Sequence, residues 1–461
     1  MVMDQSRRKA THAANVWLGS AGRAGIMMLL SLSAALATAN DRLLSPSGMA
    51  ETAPVVGQSF ADYVGSSRYR LAEVLNGNGQ SDYMGGYSAS DAADMRAPFQ
   101  WLPDNERCAG GGGAGAGKGF LLVHGLTDSP YVLRNAAQVL QQAYPCSMGR
   151  ALLLPGHGTL PGDSLAMQYG EWQEAFRYGV GSFGTEPAVA GVPTQQLYLV
   201  GFSTGTSLML DYLQRNPAAA GELRQDRIAG MILLSPAVQA NSGLAFLTPL
   251  IRHVKSWMAV YPERDAARYE SFSFNAAAEF YRLTRGMDSP AYAPAVPVMM
   301  AVSADDTTID AMAARRLFCA SAVKRRVLVW YPSVDEKVNR KVQDAADLQC
   351  AGIVEVPLAT FDPALRTLNI SHVGVAGSAA DPHYGLDGRY RHCKEYDQDS
   401  SRAQFEQCAT DNGHTVYGEN PELLAKQHDL NDKLVRRGTF NPDFPALAQR
   451  MVCLVDETCP L

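Results

Sequence analysis

What this 461-residue chain lacks narrows its function first. It has no basic surplus: 40 Lys and Arg stand against 46 Asp and Glu, a formal net charge of −6. Its basic clusters, Arg7-Arg8-Lys9 and Lys324-Arg325-Arg326, are too short to form a stripe that tracks phosphates. No nucleic-acid partner is therefore expected. Charged residues are only 19% of the chain against 46% hydrophobic, so disorder as the main state is excluded. No C-x-x-C pair and no Cys/His grouping has zinc spacing, and neither a metal nor a cofactor is called for. The N-terminal apolar run AGIMMLLSLSAALATA covers residues 24–39. It falls below the roughly 18–20 residues that span a bilayer comfortably.

That run has its own meaning. Arg7, Arg8, Lys9 and Arg23 precede it and Ala37-Thr38-Ala39 closes it, the pattern of a secretory signal cleaved near Ala39. Export to the periplasm or the medium is the expectation, and an uncleaved run anchoring the chain to a membrane is the alternative. Eight cysteines, Cys108, Cys146, Cys319, Cys350, Cys393, Cys408, Cys453 and Cys459, form an even set downstream of the signal, as an oxidising compartment favours. Pairing each with its chain neighbour is the shortest-loop choice; buried free thiols are the alternative.

Residues 40–84 show no strong periodicity and read as an extension on the surface. The stretch AGGGGAGAGKG at 109–119 matches the first seven positions of a phosphate-binding loop. Gly119 stands where Ser or Thr would hold magnesium, however, and the loop precedes a strand instead of following one, so it reads as a glycine linker. From Gly119 the chain turns regular. Short apolar runs, FLLVHGL, ALLLPGHG, LYLVGFS, GMILLSPA, PVMMAVSA and RVLVWYP, read as strands. Helical segments at 132–144, 164–178 and 206–214 alternate with them. The fold class is α/β, a mostly parallel sheet with helices on both faces. Residues 239–295 interrupt the alternation. There Leu247, Leu250, Ile251, Val254, Trp257, Met258 and Tyr261 recur at helical spacing, a core stripe or the inner face of a lid. As a lid, Leu247, Ile251, Val254, Trp257 and Met258 would contact substrate.

Chemistry concentrates in a few loops. Gly201-Phe202-Ser203-Thr204-Gly205 follows the strand LYLVG and precedes a helix, the setting of a nucleophile elbow with Ser203 as nucleophile. A serine hydroxyl needs a base and a carboxylate to orient that base. The loop after PVMMAVSA carries Asp305 and Asp306; the register of the strand end favours Asp306, with Asp305 the alternative, while Asp310 reads as a helix cap. Downstream, His372 in NISHVG is the expected base. His383 is its alternative by chain order, and His157, which precedes the serine, reads as structural. Backbone N–H groups of Thr204 and Leu126, the latter in His124-Gly125-Leu126-Thr127, are the expected oxyanion donors.

Together VHGLTDSP, LLLPGHGT, LVGFSTG, SADDTTI and SHVG resemble the microbial carboxylesterase and monoacylglycerol-lipase branch of the α/β-hydrolase superfamily, over residues 118–388. The resemblance implies functional roles for Leu126, Ser203, Thr204, Asp306 and His372, and a small helical cap at 239–295. Three features depart from that pattern. Thr206 stands where the family often has glycine or alanine, sixty-six positions separate Asp306 from His372, and residues 389–461 form a cysteine-containing C-terminal extension. The expected organisation is a signal at 1–39, an N-terminal extension with first strands at 40–117, the hydrolase core at 118–388 and that extension. The expected activity is hydrolysis of small-molecule or lipid carboxylic esters through an acyl-enzyme. Acyl transfer by the same triad and a non-catalytic binding protein are the alternatives.

Overall fold

The computed structural model describes residues 42–459 apart from 56, 78–82, 105, 109–111, 186–192, 217–227, 361, 394–395, 397–401, 411–414, 420–423, 425–433 and 458. The expected signal at 1–39 lies outside the described residues. Ten strands precede residue 356: β1 (Phe99–Trp101), β2 (Lys118–Val123), β3 (Met148–Leu152), β4 (Gln196–Phe202), β5 (Ile228–Leu234), β6 (Trp257–Ala259), β7 (Phe272–Ser273), β8 (Val298–Ser303), β9 (Arg326–Tyr331) and β10 (Ile353–Glu355). Eight form one sheet in the order β1-β3-β2-β4-β5-β8-β9-β10. The edge pair β1–β3 is antiparallel and the other pairs are parallel.

Six of these carry the expected apolar runs, β3 only in part because it ends at Leu152 and leaves residues 153–158 of ALLLPGHG as a loop, while β1, β6, β7 and β10 lie outside those runs. The continuous apolar runs have a physical reason. Side chains alternate across a strand, so a sheet covered on both faces needs apolar residues at every position. Leu121, Val123, Leu197 and Leu199 enter one core, which the helices Phe60–Asn76, Tyr169–Thr185, Thr204–Arg215, Phe274–Thr284 and Ala311–Ala320 complete. Phe120, Leu122, Tyr198 and Val200 enter the other, closed by the helices Arg134–Ala143 and Phe444–Asp456. Each such buried side chain contributes about 1.5–3 kcal/mol.

Three expectations change. Residues 40–84 do not lie as an unpatterned surface layer: Phe60–Asn76 is a helix whose N-cap, Ser59, accepts from the Asp62 N–H. It buries Phe60, Tyr63, Ser67, Leu71, Val74 and Leu75, a helical stripe that small and polar neighbours obscure. Tyr63 also donates from its hydroxyl to the Leu153 carbonyl at 2.8 Å, tying the helix to the loop after β3. At the other end, Phe444, Leu447, Met451, Leu454 and Val455 pack on the sheet, so its apolar core draws on residues well beyond 388.

The third change is the insertion. Leu247 to Tyr261 do not form one helix. A 3-10 turn at Ala245–Leu247 and a single α-turn at Thr248–Ile251 give way to β6, which pairs antiparallel with β7. The Phe274 N–H donates to the Ser256 carbonyl at 2.8 Å, so the aromatic-rich WMAVY run finds backbone partners in a hairpin. Part of the expected stripe then turns to solvent, with Leu250 70% and Val254 87% exposed, while Leu247, Ile251, Trp257 and Tyr261 are half-buried. The insertion's longest helix is Phe274–Thr284, capped by Ser273.

Disulfides join Cys108–Cys146, Cys319–Cys350, Cys393–Cys408 and Cys453–Cys459, the shortest-loop pairing. These bridges point to an oxidising compartment. Among the described residues no helix is long and apolar enough to cross a membrane.

Candidate active site

β4 runs straight into Ser203, whose backbone adopts φ 51° and ψ −121°, and the helix Thr204–Arg215 starts at the next residue. A positive φ is costly for serine and holds only where the surroundings enforce it. The flanking glycines make the turn sterically possible. A Cβ on Gly205 would lie 2.1 Å from the Val123 carbonyl oxygen, and one on Gly201 would lie 2.8 Å from the Met209 sulfur. Thr206 adds a polar clasp: its hydroxyl donates to the Ser203 carbonyl at 2.6 Å and accepts from the Ala237 N–H at 3.1 Å.

At the same sheet edge β8 ends in the acidic loop. Asp306 accepts through Oδ1 from the N–H groups of Thr308 (2.8 Å) and Ile309 (3.0 Å), which leaves Oδ2 aimed at His372. That Oδ2 lies 2.6 Å from His372 Nδ1, and His372 Nε2 lies 3.0 Å from Ser203 Oγ. Asp305 turns elsewhere, accepting from Ser333, the Val334 N–H (3.1 Å) and Asn369 (2.8 Å). Asp310 caps the following helix by accepting from the Ala313 N–H at 2.9 Å. His383 sits in a separate buried cluster, 2.9 Å from Asp265 and 3.0 Å from the Tyr87 hydroxyl.

His157 is fully buried against Trp172 and Tyr269, with Nδ1 3.1 Å from the Pro155 carbonyl. Burial pushes its pKa down to about 4 from 6.5. Between those values the unfolded chain holds the proton and the folded chain does not. The stabilisation is therefore whole above about pH 6.5 and lost as pH falls through about 4, an effect of about 2–3 kcal/mol. Urea midpoints at pH 7 and pH 4.5 check this. His157→Gln is expected to lose less stability than wild type over that interval, and an equal loss would contradict the assignment.

The serine and histidine open on a cavity of about 210 Å³. Leu126, Phe272, Phe280, Ile309 and Val373 give it an apolar side; Thr127, Asp128, Arg268, Glu270 and Arg437 give it a polar one. Leu126 and Thr204 both line it beside Ser203. Gly125 lets the Leu126 loop come this close, since a Cβ there would meet the Ser203 Cβ at 2.9 Å. None of Leu247, Ile251, Val254, Trp257 and Met258 lines the cavity. The insertion reaches it instead through Arg268, Tyr269, Glu270, Phe272 and Phe280, which follow the stripe. Among the described residues no three His, Cys, Asp or Glu side chains are grouped as a metal site.

Two further residues escaped the sequence reading. Glu419 is 3% exposed and accepts from the backbone N–H of Thr307 (3.1 Å) and of His372 (3.2 Å). One carboxylate thus bridges the neighbour of Asp306 and His372 itself. Arg437 donates to both its oxygens, at 2.9 and 2.8 Å, and to the Thr308 hydroxyl at 3.0 Å. Burial pushes Glu419 up, but Arg437, the bond from Thr307 and the charge of His372 together hold the carboxyl below its ordinary range. Both residues sit at a small parallel pair, β11 (Val416–Gly418) and β12 (Val435–Arg437), in the C-terminal extension. No sequence motif marks them.

No protein-family model and no curated protein matches the chain. Similar solved structures include a metagenome-derived lipolytic enzyme described with LipS and LipT, at 15% identity over 53% of this chain and 95% of that one, TM-score 0.40. A soluble variant of monoglyceride lipase from Saccharomyces cerevisiae is 16% identical over 53% and 87%, TM-score 0.39. A monoacylglycerol lipase from Paleococcus ferrophilus is 16% identical over 51% and 88%, TM-score 0.38. Independently of these likenesses, the sheet order, the antiparallel edge strand and the strand-to-helix elbow after β4 give the chain the α/β-hydrolase fold.

Proposed function

We propose that this chain is a serine hydrolase of carboxylic esters, exported to an oxidising compartment. The observation that carries the reading is the unbroken path from Asp306 through His372 to Ser203, at 2.6 and 3.0 Å, ending on a strained elbow at the cavity. With the imidazole proton on Nδ1, the ring donates to Asp306 and Nε2 accepts from the Ser203 hydroxyl. Ser203 Oγ attacks the ester carbonyl carbon as its proton passes to Nε2. The N–H groups of Leu126 and Thr204 stabilise the negative oxygen of the tetrahedral intermediate. The carbon–oxygen bond to the leaving alcohol then breaks, and Nε2 returns the proton to that alcohol. Water repeats the sequence on the acyl-enzyme and releases the acid. Asp306 stays ionised throughout and stabilises the imidazolium.

The cavity sets the substrate size. At about 210 Å³ it is smaller than the roughly 300–1,000 Å³ of pockets for drug-sized ligands. Labelling with a fluorophosphonate probe and turnover of a p-nitrophenyl ester series test the reading together. The probe is expected to attach at Ser203, and acetyl and butyryl esters to be cleaved faster than palmitoyl. Folded protein that neither labels nor turns over any ester would leave a binding protein on the same fold.

A further inference from the structure

Arg268 takes no part in the path from Asp306 to Ser203, yet it lines the same cavity. It lies in the insertion between β6 and β7 and is 7% exposed. Its Nε donates to Asp265 Oδ2 at 3.1 Å. Its two terminal amino groups donate to nothing among the described residues, and Asp128 Oδ1, 3.8 Å from Nη1, is beyond hydrogen-bonding distance. Neither amino group is closed to solvent, whereas Asp128 Oδ1 is. The guanidinium is also near the reacting centre. A Cβ on Gly125 would lie 2.7 Å from Asp128 Oδ2 and 2.9 Å from the Ser203 Cβ, so Asp128 neighbours both nucleophile and guanidinium.

The charge of Arg268 is already compensated, but its donors are not used. Burial pushes the Asp265 carboxyl up, yet His383, Arg268 and the Ala267 N–H together hold it down to about 2, so it stays ionised. Asp265 in turn is fixed by the Tyr384 hydroxyl at 2.9 Å and by His383 Nε2 at 2.9 Å. Burial pushes Asp128 up to about 6, against the pull of Arg268 and His372, so at neutral pH it is mostly ionised as well. A guanidinium offers donors only, and nearly buried donors left unpaired are costly. The group that fits is an uncharged acceptor. A carbonyl oxygen accepts without having to donate, whereas a substrate carboxylate would meet Asp128 and Glu270 in the same cavity.

We propose that Arg268 binds a second carbonyl oxygen of the substrate, and that the substrates are esters carrying an uncharged oxo or acyl group near the scissile bond, such as keto esters and diesters. The proposal rests on the hydrolase reading above. The terminal amino groups donate to that oxygen while Asp265 fixes the plane of the guanidinium through Nε. Sites built to hydrogen-bond a substrate group discriminate strongly against the analogue without it, because their own polar groups are then left unpaired.

The test compares matched esters on wild type, Arg268→Met and Arg268→Lys, with each kcat/KM divided by that ester's own rate of hydroxide hydrolysis so that intrinsic reactivity cancels. One pair places the carbonyl on the acyl side, ethyl 4-oxopentanoate against ethyl pentanoate. The other places it on the alcohol side, 2-oxopropyl butyrate against propyl butyrate. Wild type is expected to favour the oxo member of at least one pair by about 10- to 100-fold. The pair that responds identifies the side. Monoethyl succinate, in which a carboxylate replaces the acetyl group of the first ester, is expected to be cleaved no faster than ethyl pentanoate. In Arg268→Met the oxo preference is expected to fall below about threefold. Arg268→Lys keeps the charge but offers one ammonium on a shorter stem. It is expected to lose most of the preference, and it serves if the methionine variant does not fold. If wild type cleaves both pairs without distinction, if either folded variant keeps the full ratio, or if monoethyl succinate is the preferred acyl-side substrate, the subsite is overturned while the hydrolase reading stands. If wild type cleaves none of these esters and no p-nitrophenyl ester, the hydrolase reading fails first.

Discussion

Ser203→Ala is expected to lower kcat/KM for ester hydrolysis by about four to six orders of magnitude while the fold persists. Removing the hydroxyl takes away the atom that forms the acyl-enzyme. His372, Leu126 and Thr204 remain, so the residual rate reports what binding and oxyanion stabilisation achieve alone. The backbone that positions Ser203 is held by groups the substitution leaves in place. The Ser203 N–H donates to the Leu234 carbonyl at 3.0 Å, and its carbonyl accepts from the Thr206 hydroxyl. Thermal unfolding should therefore change little. A variant that keeps a tenth of wild-type activity would remove Ser203 from the mechanism.

The second large effect is expected at Asp306. In Asp306→Asn the side-chain oxygen can still accept from the N–H groups of Thr308 and Ile309, but an amide NH₂ then faces His372 Nδ1. The ring must present a bare Nδ1 to that donor, which puts its proton on Nε2, facing Ser203. The base is then in the wrong tautomer, a change that costs about 10⁴ in kcat where the same three-residue arrangement has been dissected. Asp305→Asn is the control. Asp305 is one residue away and equally acidic, but its partners are Ser333, Val334 and Asn369. Its substitution is expected to lower the melting temperature more than kcat. Steady-state kinetics and thermal melts of both variants separate the two roles, and equal losses of kcat would contradict the assignment of Asp306.

Glu419 and Arg437 explain how the acidic loop and the histidine loop are held in register despite the long interval between them. The carboxylate accepts from the N–H of residue 307 and of residue 372, so the two loops share one anchor. That anchor comes from the C-terminal extension, a part of the chain that carries no hydrolase motif. The same holds at the other end, where Phe60 and Tyr63 complete a core whose strands begin far downstream.

The elements legible in the sequence are those whose cause is local. Buried strands such as Phe120–Val123 and Leu197–Phe202 must be apolar at every position because both faces of the sheet are covered, and that demand is visible in a short window. The elbow is legible because its strand, its G-x-S-x-G spacing and its helix are consecutive residues, although the crowding at Gly205 comes from Val123 on a neighbouring strand. Chain order also placed Ser203, the acidic loop of Asp305 and Asp306, and the later histidines His372 and His383 in the expected succession before any distance was known. Where local signals conflicted, the reading failed. The stripe from Leu247 to Tyr261 has helical spacing, but hairpin partners at Phe272 and Ser273 drew its second half into a strand. What only the tertiary structure decided is which distant side chains meet. The separate partners of Asp305 and Asp306 and the clamp of Glu419 and Arg437 depend on loop paths that bring residues tens to hundreds of positions apart within hydrogen-bonding range. Such meetings leave no periodic trace in the chain, because hydrogen bonds between loops constrain single positions, whereas burial of a sheet face constrains every residue of a strand.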